Sequence, residues 1–271
     1  MGLRTFTLLG GLASVMLAQP KITYVVDAAA GVGVTALSAP DPRFDGVLEG
    51  FLQNPRSRMP SLDGVRPYLL IIMNGSTGAV ARIGVRHEIS YAGRPPIVWM
   101  QTLIEPDLAP LLQPGASLLA FQGVQNGAAG AVVASPREMD HLASVLAGAQ
   151  EVVVTLDAVI FGSGLIVGPD KNGAATRYEA EQRAARDMLA GLQRLKLGGD
   201  GRQTLQGYLS QLAGLAPRRS LPLPDTSRDD AFNYQSRQRD LARFLVTRGL
   251  DLDGCIAQLA SADARMKDLH R

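Results

Sequence analysis

Two kinds of periodicity, met one after the other, predict an α+β chain: an immunoglobulin-like antiparallel β-sandwich followed by a helical C-terminal region. The first observation is the stretch Glu151–Phe161, where Val152, Val154, Leu156, Ala158 and Ile160 fall on one face at period two. The second is the stretch after Gly173, where Tyr178, Ala185, Met188, Leu189, Leu192 and Leu195 recur at helical spacing. The third is a series of short strand-like runs between residues 66 and 168, separated by turn residues.

In chain order, residues 1–18 read as a secretory signal peptide. Arg4 supplies the positive start, and Phe6 to Leu17 is an apolar run too short to span a bilayer. Ala18 is the expected last residue before cleavage. Residues 19–65 read as an irregular segment that wraps the main body. Ile22–Val26 is its one strand candidate, and Phe44, Val47, Leu48, Phe51 and Leu52 form a short helical stripe.

Residues 66–173 are the expected sandwich domain. Tyr68–Met73 is a buried run, followed by turn chemistry at Asn74-Gly75-Ser76-Thr77-Gly78. That turn also spells a glycosylation triplet, a weak signal without a glycosylating host. Between Ala81 and Ile89 the chain alternates, with Ala81, Ile83, Val85, His87 and Ile89 on one face and Arg82, Gly84, Arg86 and Glu88 on the other. Strands are expected at Ile97–Leu103 and Ser117–Phe121. Ser135-Pro136-Arg137-Glu138 has the form of a capping box and predicts a short helix carrying Met139, Leu142, Ala143 and Leu146, closed by Gly148. Gly162-Ser163-Gly164 predicts a hairpin that returns Leu165-Ile166-Val167 onto the preceding strand.

Residues 174–271 are the expected helical region. After the helix ended by Gly198-Gly199, helices are expected at Gln203–Ala213, at Asp229–Thr247 and after a capping Asp251. Pro217, Pro222 and Pro224 make the stretch between the first two an extended brace. These helices are only modestly apolar, so they need another surface to stabilise them.

Composition limits the function classes. Lys+Arg is 27 against 25 for Asp+Glu, a balance that disfavours a dedicated nucleic-acid binder. Aromatics make up 5% with one Trp, which thins the case for a carbohydrate- or single-strand-stacking surface. The one cysteine, Cys255, precludes an intramolecular disulfide and reads as a small buried apolar residue.

Candidate chemistry is sparse. His87 lies on an apolar strand face and reads as a hydrogen-bonded core histidine before a ligand or base. His141 falls on the polar side of its helix, and His270 lies near the C-terminus. Asp157 shares a face with Thr155 and is expected to meet solvent. Gly31-Val32-Gly33-Val34 matches a dinucleotide loop at two glycines only. Asp170-Lys171-Asn172-Gly173 looks like part of a calcium loop, yet lacks the distal glutamate, and a helix-launching cap at Asp170 or Asn172 explains it better. No catalytic, cofactor-binding or metal-ligating residue is assigned, and no cofactor is expected.

The strand Arg82-Ile83-Gly84-Val85-Arg86, the turn Asn74-Gly75-Ser76, the junction Val167-Gly168-Pro169-Asp170 and the charged helix after it resemble a loose group of uncharacterised exported bacterial β-sandwich proteins. The resemblance covers residues 66–196. It implies export and a sandwich, and no chemistry at particular residues. The expected function is therefore a non-catalytic extracytoplasmic protein, periplasmic or secreted. It would bind another protein or an envelope component through a sandwich edge or its helical tail, with no nucleic-acid partner and no transmembrane span in the mature chain. The alternative is an extracytoplasmic hydrolase with a site between sandwich and helices, built on His87 or His141.

Overall fold

The computed structural model describes residues 20–59, 62–103, 111–126, 130–198, 201–214 and 230–268. The expected signal peptide, the stretch with Pro217, Pro222 and Pro224, and His270 lie outside the described residues. The strands are β1 (Lys21–Val25), β2 (Val34–Leu37), β3 (Leu70–Asn74), β4 (Val80–Tyr91), β5 (Arg94–Leu103), β6 (Ser117–Ala120), β7 (Val124–Asn126), β8 (Val132–Ala134), β9 (Glu151–Phe161) and β10 (Ile166–Val167). The helices are α1 (Phe44–Leu52), α2 (Pro136–Ala147), α3 (Ala174–Leu197), α4 (Gly201–Ala213), α5 (Asp230–Arg248) and α6 (Leu252–Asp268). The chain is mixed α+β.

The main sheet has the order β1-β9-β4-β5, and β10 shares the β1 side of β9. β1 runs along Glu151–Thr155 and β10 along Val159–Ile160, so two short strands divide one edge of β9 between them. The sequence predicts only antiparallel strands, but β1 lies parallel to β9, and the sheet is mixed. A parallel partner must come from a distant part of the chain, which local turn signals do not reveal. A second sheet, β2-β3-β6, is antiparallel throughout, and β7 pairs with β8 as a separate hairpin that patterning did not mark. Neither of the larger sheets closes on itself.

One hydrophobic core joins the two larger sheets. Ile83, Val85, Ile89, Val152, Val154 and Leu156 from the main sheet bury with Leu70, Ile72, Leu119 and Phe121 from around the second. Each large aliphatic side chain taken from water contributes about 1.5–3 kcal/mol, so this shared layer is the chief stabiliser of the β region. Leu70, Ile71 and Ile72 are all fully buried. β3 is therefore covered on both faces, which is why it reads as a continuous apolar run.

The N-terminal segment does more than wrap. It supplies β1 to the main sheet, β2 to the second sheet, and α1, whose Phe44, Leu48 and Phe51 are buried against the same core. α2 forms where expected with Pro136 opening it, but the Ser135 side chain makes no capping bond. The Ala92-Gly93 hairpin is tighter than the sequence implies: Tyr91 pairs directly with Arg94, with Gly93 at φ 65° in the left-handed region.

Three bulges interrupt the main sheet, one of them in β5 between Arg94 and Ile97, and the other two set the faces of β4 and β9. β4 gains a residue at Ala81 and β9 gains one at Asp157. The expected single apolar face of β9 is therefore wrong beyond Leu156. Val152, Val154, Leu156, Val159 and Phe161 point into the shared core, whereas Ala158 and Ile160 point away from it. Ala81 also sits on the far side, beside Ala158 and Ile160 and apart from Ile83 and Val85. An extra residue shifts every later side chain to the opposite face.

α3 ties the two regions together. Its first turns place Ala174 and Tyr178 on Ala158 and Ile160 of the sheet. Its second half carries Ala185, Met188 and Leu192 into a separate core with Leu205, Leu209, Leu241, Leu245, Cys255 and Leu259. The helices thus pack on one another, and α3 carries the packed face from that core onto the sheet. Among the described residues no helix is long and apolar enough to cross a membrane.

Candidate interaction surface

The face of the main sheet turned from the shared core is polar where β4 carries Arg82, Arg86 and Glu88. Arg82 is buried and ion-paired with Glu181 of α3, and its guanidinium lies 5.5 Å from the Tyr178 ring centre. Arg86 donates to Glu88 and to the Asn172 side-chain oxygen, both at 3.1 Å. That contact holds the Glu88 carboxyl below the usual range. Arg177 reaches Thr102 on β5 at 3.2 Å. Because β4 alternates, the side chains at 82, 86 and 88 share one face, and helix α3 covers only the end nearest Arg82.

Asp157 was expected to meet solvent and instead is fully buried. Its two oxygens accept the backbone N–H groups of Lys171 and Asn172, each at 2.9 Å. Asp170, at φ 46°, accepts the N–H groups of Ala174 and Ala175 and so caps α3. The fragment that looks like a calcium loop is this cap, with its carboxylates spent on backbone donors. β9 also carries Glu151 and Thr155, so nothing in the strand's own residues singled out Asp157.

His87 lies on the opposite face, in the core. It is 1% exposed, its Nε2 donates to the Tyr68 carbonyl at 3.0 Å, and Phe121 and Trp99 stand at ring distances of 5.6 and 6.5 Å. Burial lowers its pKa, so the imidazole is held neutral. The sheet separates it from α3, which removes it from any cleft between β region and helices. His141 is exposed on α2. Asn74 is 1% exposed and donates to the carbonyls of Gly78 and Leu112, so its glycosylation triplet is structural. Gly31 lies within a 3-10 helix, Asp27–Val32, that precedes β2, and Gly33 supplies its left-handed cap. Cys255 is buried among the helices, where burial raises its thiol pKa. Among the described residues no three His, Cys, Asp or Glu side chains are grouped to hold a metal ion.

The neutral His87 makes stability depend on pH. Its folded pKa is depressed below the unfolded value of about 6.5, so the unfolded chain binds its proton first as pH falls. Stability is fully present above about pH 6.5 and declines below it, by at most about 1.4 kcal/mol per pH unit from this group. Urea unfolding between pH 7.5 and 5.5 should therefore show a shallower decline for His87→Gln than for the native chain. Parallel declines would remove His87 from the account.

β5 is the least covered strand. It is the last strand of the main sheet, and among the described residues no strand pairs with its outer side. Ile97, Val98 and Met100 are 44%, 36% and 42% exposed, although the strand pairs in regular register with β4 from Ile97 to Leu103. Val98 lies beside Glu88 and Met100 beside Arg86, and Ile97 lies on the other face beside Ile89. A groove of about 740 Å³, lined by Tyr91, Arg94, Pro95, Ile97, Val145 and Gly148, separates the β4–β5 hairpin from α2 and opens onto the same edge. Sequence patterning marked Ile97–Leu103 as a strand but could not say that nothing would cover it.

No family model, no curated protein and no solved structure matches this chain.

Proposed function

We propose that this chain is a non-catalytic extracytoplasmic protein that binds another protein or an envelope component, and that the outer edge of β5 is the binding edge. The observation that carries this reading is the exposure of Ile97, Val98 and Met100 along a strand whose outer hydrogen-bonding groups meet no other strand among the described residues. Such an edge offers main-chain donors and acceptors to an added strand, with alternate side chains supplying selectivity. The immunoglobulin-like sandwich belongs to the same reading, because two sheets sharing one core present their edges in this way. Export is supported by the apolar segment Phe6–Leu17 behind Arg4. The helical region serves as a brace, held to the sheet by α3.

A photo-crosslinking residue at position 98 or 100 tests the edge, with position 246 as the comparison, because Val246 is 55% exposed on α5. In envelope extract, adducts of one defined mass are expected from 98 and 100 and not from 246. Met100→Lys should lower the yield from position 98 by about tenfold, since a charge blunts an edge. Adducts from 246 alone would move binding to the helices, and none from 98 or 100 would end the edge reading.

A further inference from the structure

We propose that the outer edge of β5 pairs with the β5 of a second copy of this chain, antiparallel, about a two-fold axis at Trp99. This rests on the edge reading above and names one occupant for it. From Pro95 to Leu103 the strand carries no charged residue. Edges that avoid self-pairing are commonly blunted by a charge, a proline or a bulge, and here the blunting lies at one end. β5 gains a residue between Arg94 and Ile97, and neither Pro95 nor Pro96 has an N–H to donate, so the regular ladder ends at Ile97. Pairing is thereby limited to the stretch Ile97–Gln101.

The register follows from the neighbours on β4. Val98 lies beside Glu88 and Met100 beside Arg86, all four on the face turned from the shared core. An axis at Val98 sets Val98 on its own copy, opposes Met100 to Pro96, and ends that row with Glu88 on both sides. An axis at Met100 opposes Val98 to Thr102 and ends the row with two copies of Arg86. An axis at Trp99 alone sets Val98 against Met100 of the second copy. Each row then runs Arg86, Met100, Val98, Glu88, with opposite charges at its ends. The ends are three strand spacings apart, about 14 Å, where salt screens strongly. The charges therefore only bias the register, and the apolar match of two exposed residue pairs drives it. On the other face Trp99 meets Trp99 and the exposed Ile97 meets Gln101. A five-residue strand pair is smaller than the standard interface of about 800 Å² per partner, so the dimer is weak, with Kd on the order of 10–100 µM.

The experiment uses the full chain. Sedimentation equilibrium from about 5 to about 300 µM should show a monomer–dimer equilibrium, and Met100→Lys should weaken it by about tenfold or more. A mixture of Val98→Cys chains and Met100→Cys chains should form a mixed disulfide on oxidation, because directly opposed residues bring their Cβ atoms within about 5.5 Å. Neither variant alone should cross-link, and the native Cys255 is buried. A monomer throughout, or a Val98→Cys cross-link formed as readily alone as in the mixture, overturns the proposal. Defined adducts from positions 98 and 100 with a foreign partner, on a chain that stays monomeric, would sink self-pairing and leave the edge reading standing.

Discussion

Glu181→Ala is expected to cost about 3–5 kcal/mol of folding stability, because it leaves the Arg82 guanidinium buried without its counter-charge. The side chains of Arg82 and Glu181 are 3% and 10% exposed, so water cannot replace the lost partner. Arg82 already makes poor use of its donors: its Nε and Nη1 are buried without a hydrogen-bond partner among the described residues. Neighbouring Tyr178 offers only its ring face. The pair is thus costly to break and of little net benefit when intact. Arg82→Met with Glu181→Leu should recover stability to within about 1 kcal/mol of the native chain. Trp99, the one tryptophan, packs against the shared core and reports the sheets, while far-UV ellipticity reports mainly the helices. Urea unfolding followed by both signals should shift together in Glu181→Ala, since α3 packs on the main sheet and also enters the helical core. A loss below about 1 kcal/mol would mean that the pair is not desolvated as described.

Asp157→Ala should cost a similar amount, about 3–5 kcal/mol, by stripping two charge-accepting bonds from buried N–H groups. The oxygens serve Lys171 and Asn172, and the Asp157 carbonyl accepts the Asp170 N–H at 2.9 Å. Asp157→Asn should cost less, because one oxygen remains. Gly168 closes the same knot: it sits at φ 115°, and a Cβ there would fall 2.5 Å from the Asp157 carbonyl oxygen. Gly168→Ala is accordingly disfavoured by both backbone conformation and contact. Amide exchange is the direct check, with Lys171 and Asn172 losing protection in Asp157→Ala more than the centre of β4 does. Unchanged protection at those two amides would show that the loop holds itself without the carboxylate.

Together these residues explain the junction that the sequence marks so plainly. Strand β9 and helix α3 were legible because their apolar residues recur at periods of two and 3.6 over long runs. The tight Gly162-Ser163-Gly164 return was legible for the same local reason, since β10 does pair back on β9. Asp157 does share the face of Thr155, but the turn after Gly168 covers that face, and the bulge reverses only the residues that follow it. Nothing local distinguishes a bulged carboxylate from a wet one; the difference lies in the two N–H groups brought to it by the turn after Gly168.

His87 shows the opposite case. Its alternation with Ile83, Val85 and Ile89 held, and the apolar face assigned to it is the core face. The partner that keeps it neutral, the Tyr68 carbonyl, comes from another part of the chain. The N-terminal segment was underestimated for a related reason. β1 and β2 are short, and short strands become recognisable only beside the strands that complete them.

By itself the sequence determined the succession of a β region and a helical region, the positions of the longer elements, the turn that launches α3 and the poverty of catalytic motifs, because all of these depend on spacing within a few turns of chain. Only the tertiary structure decided which faces are buried, that β1 runs parallel to β9, that Asp157 and Glu181 are enclosed and that the outer side of β5 meets no other strand among the described residues. Those outcomes depend on which distant segments arrive against a strand, and burial, unlike periodicity, belongs to the pair of surfaces that meet.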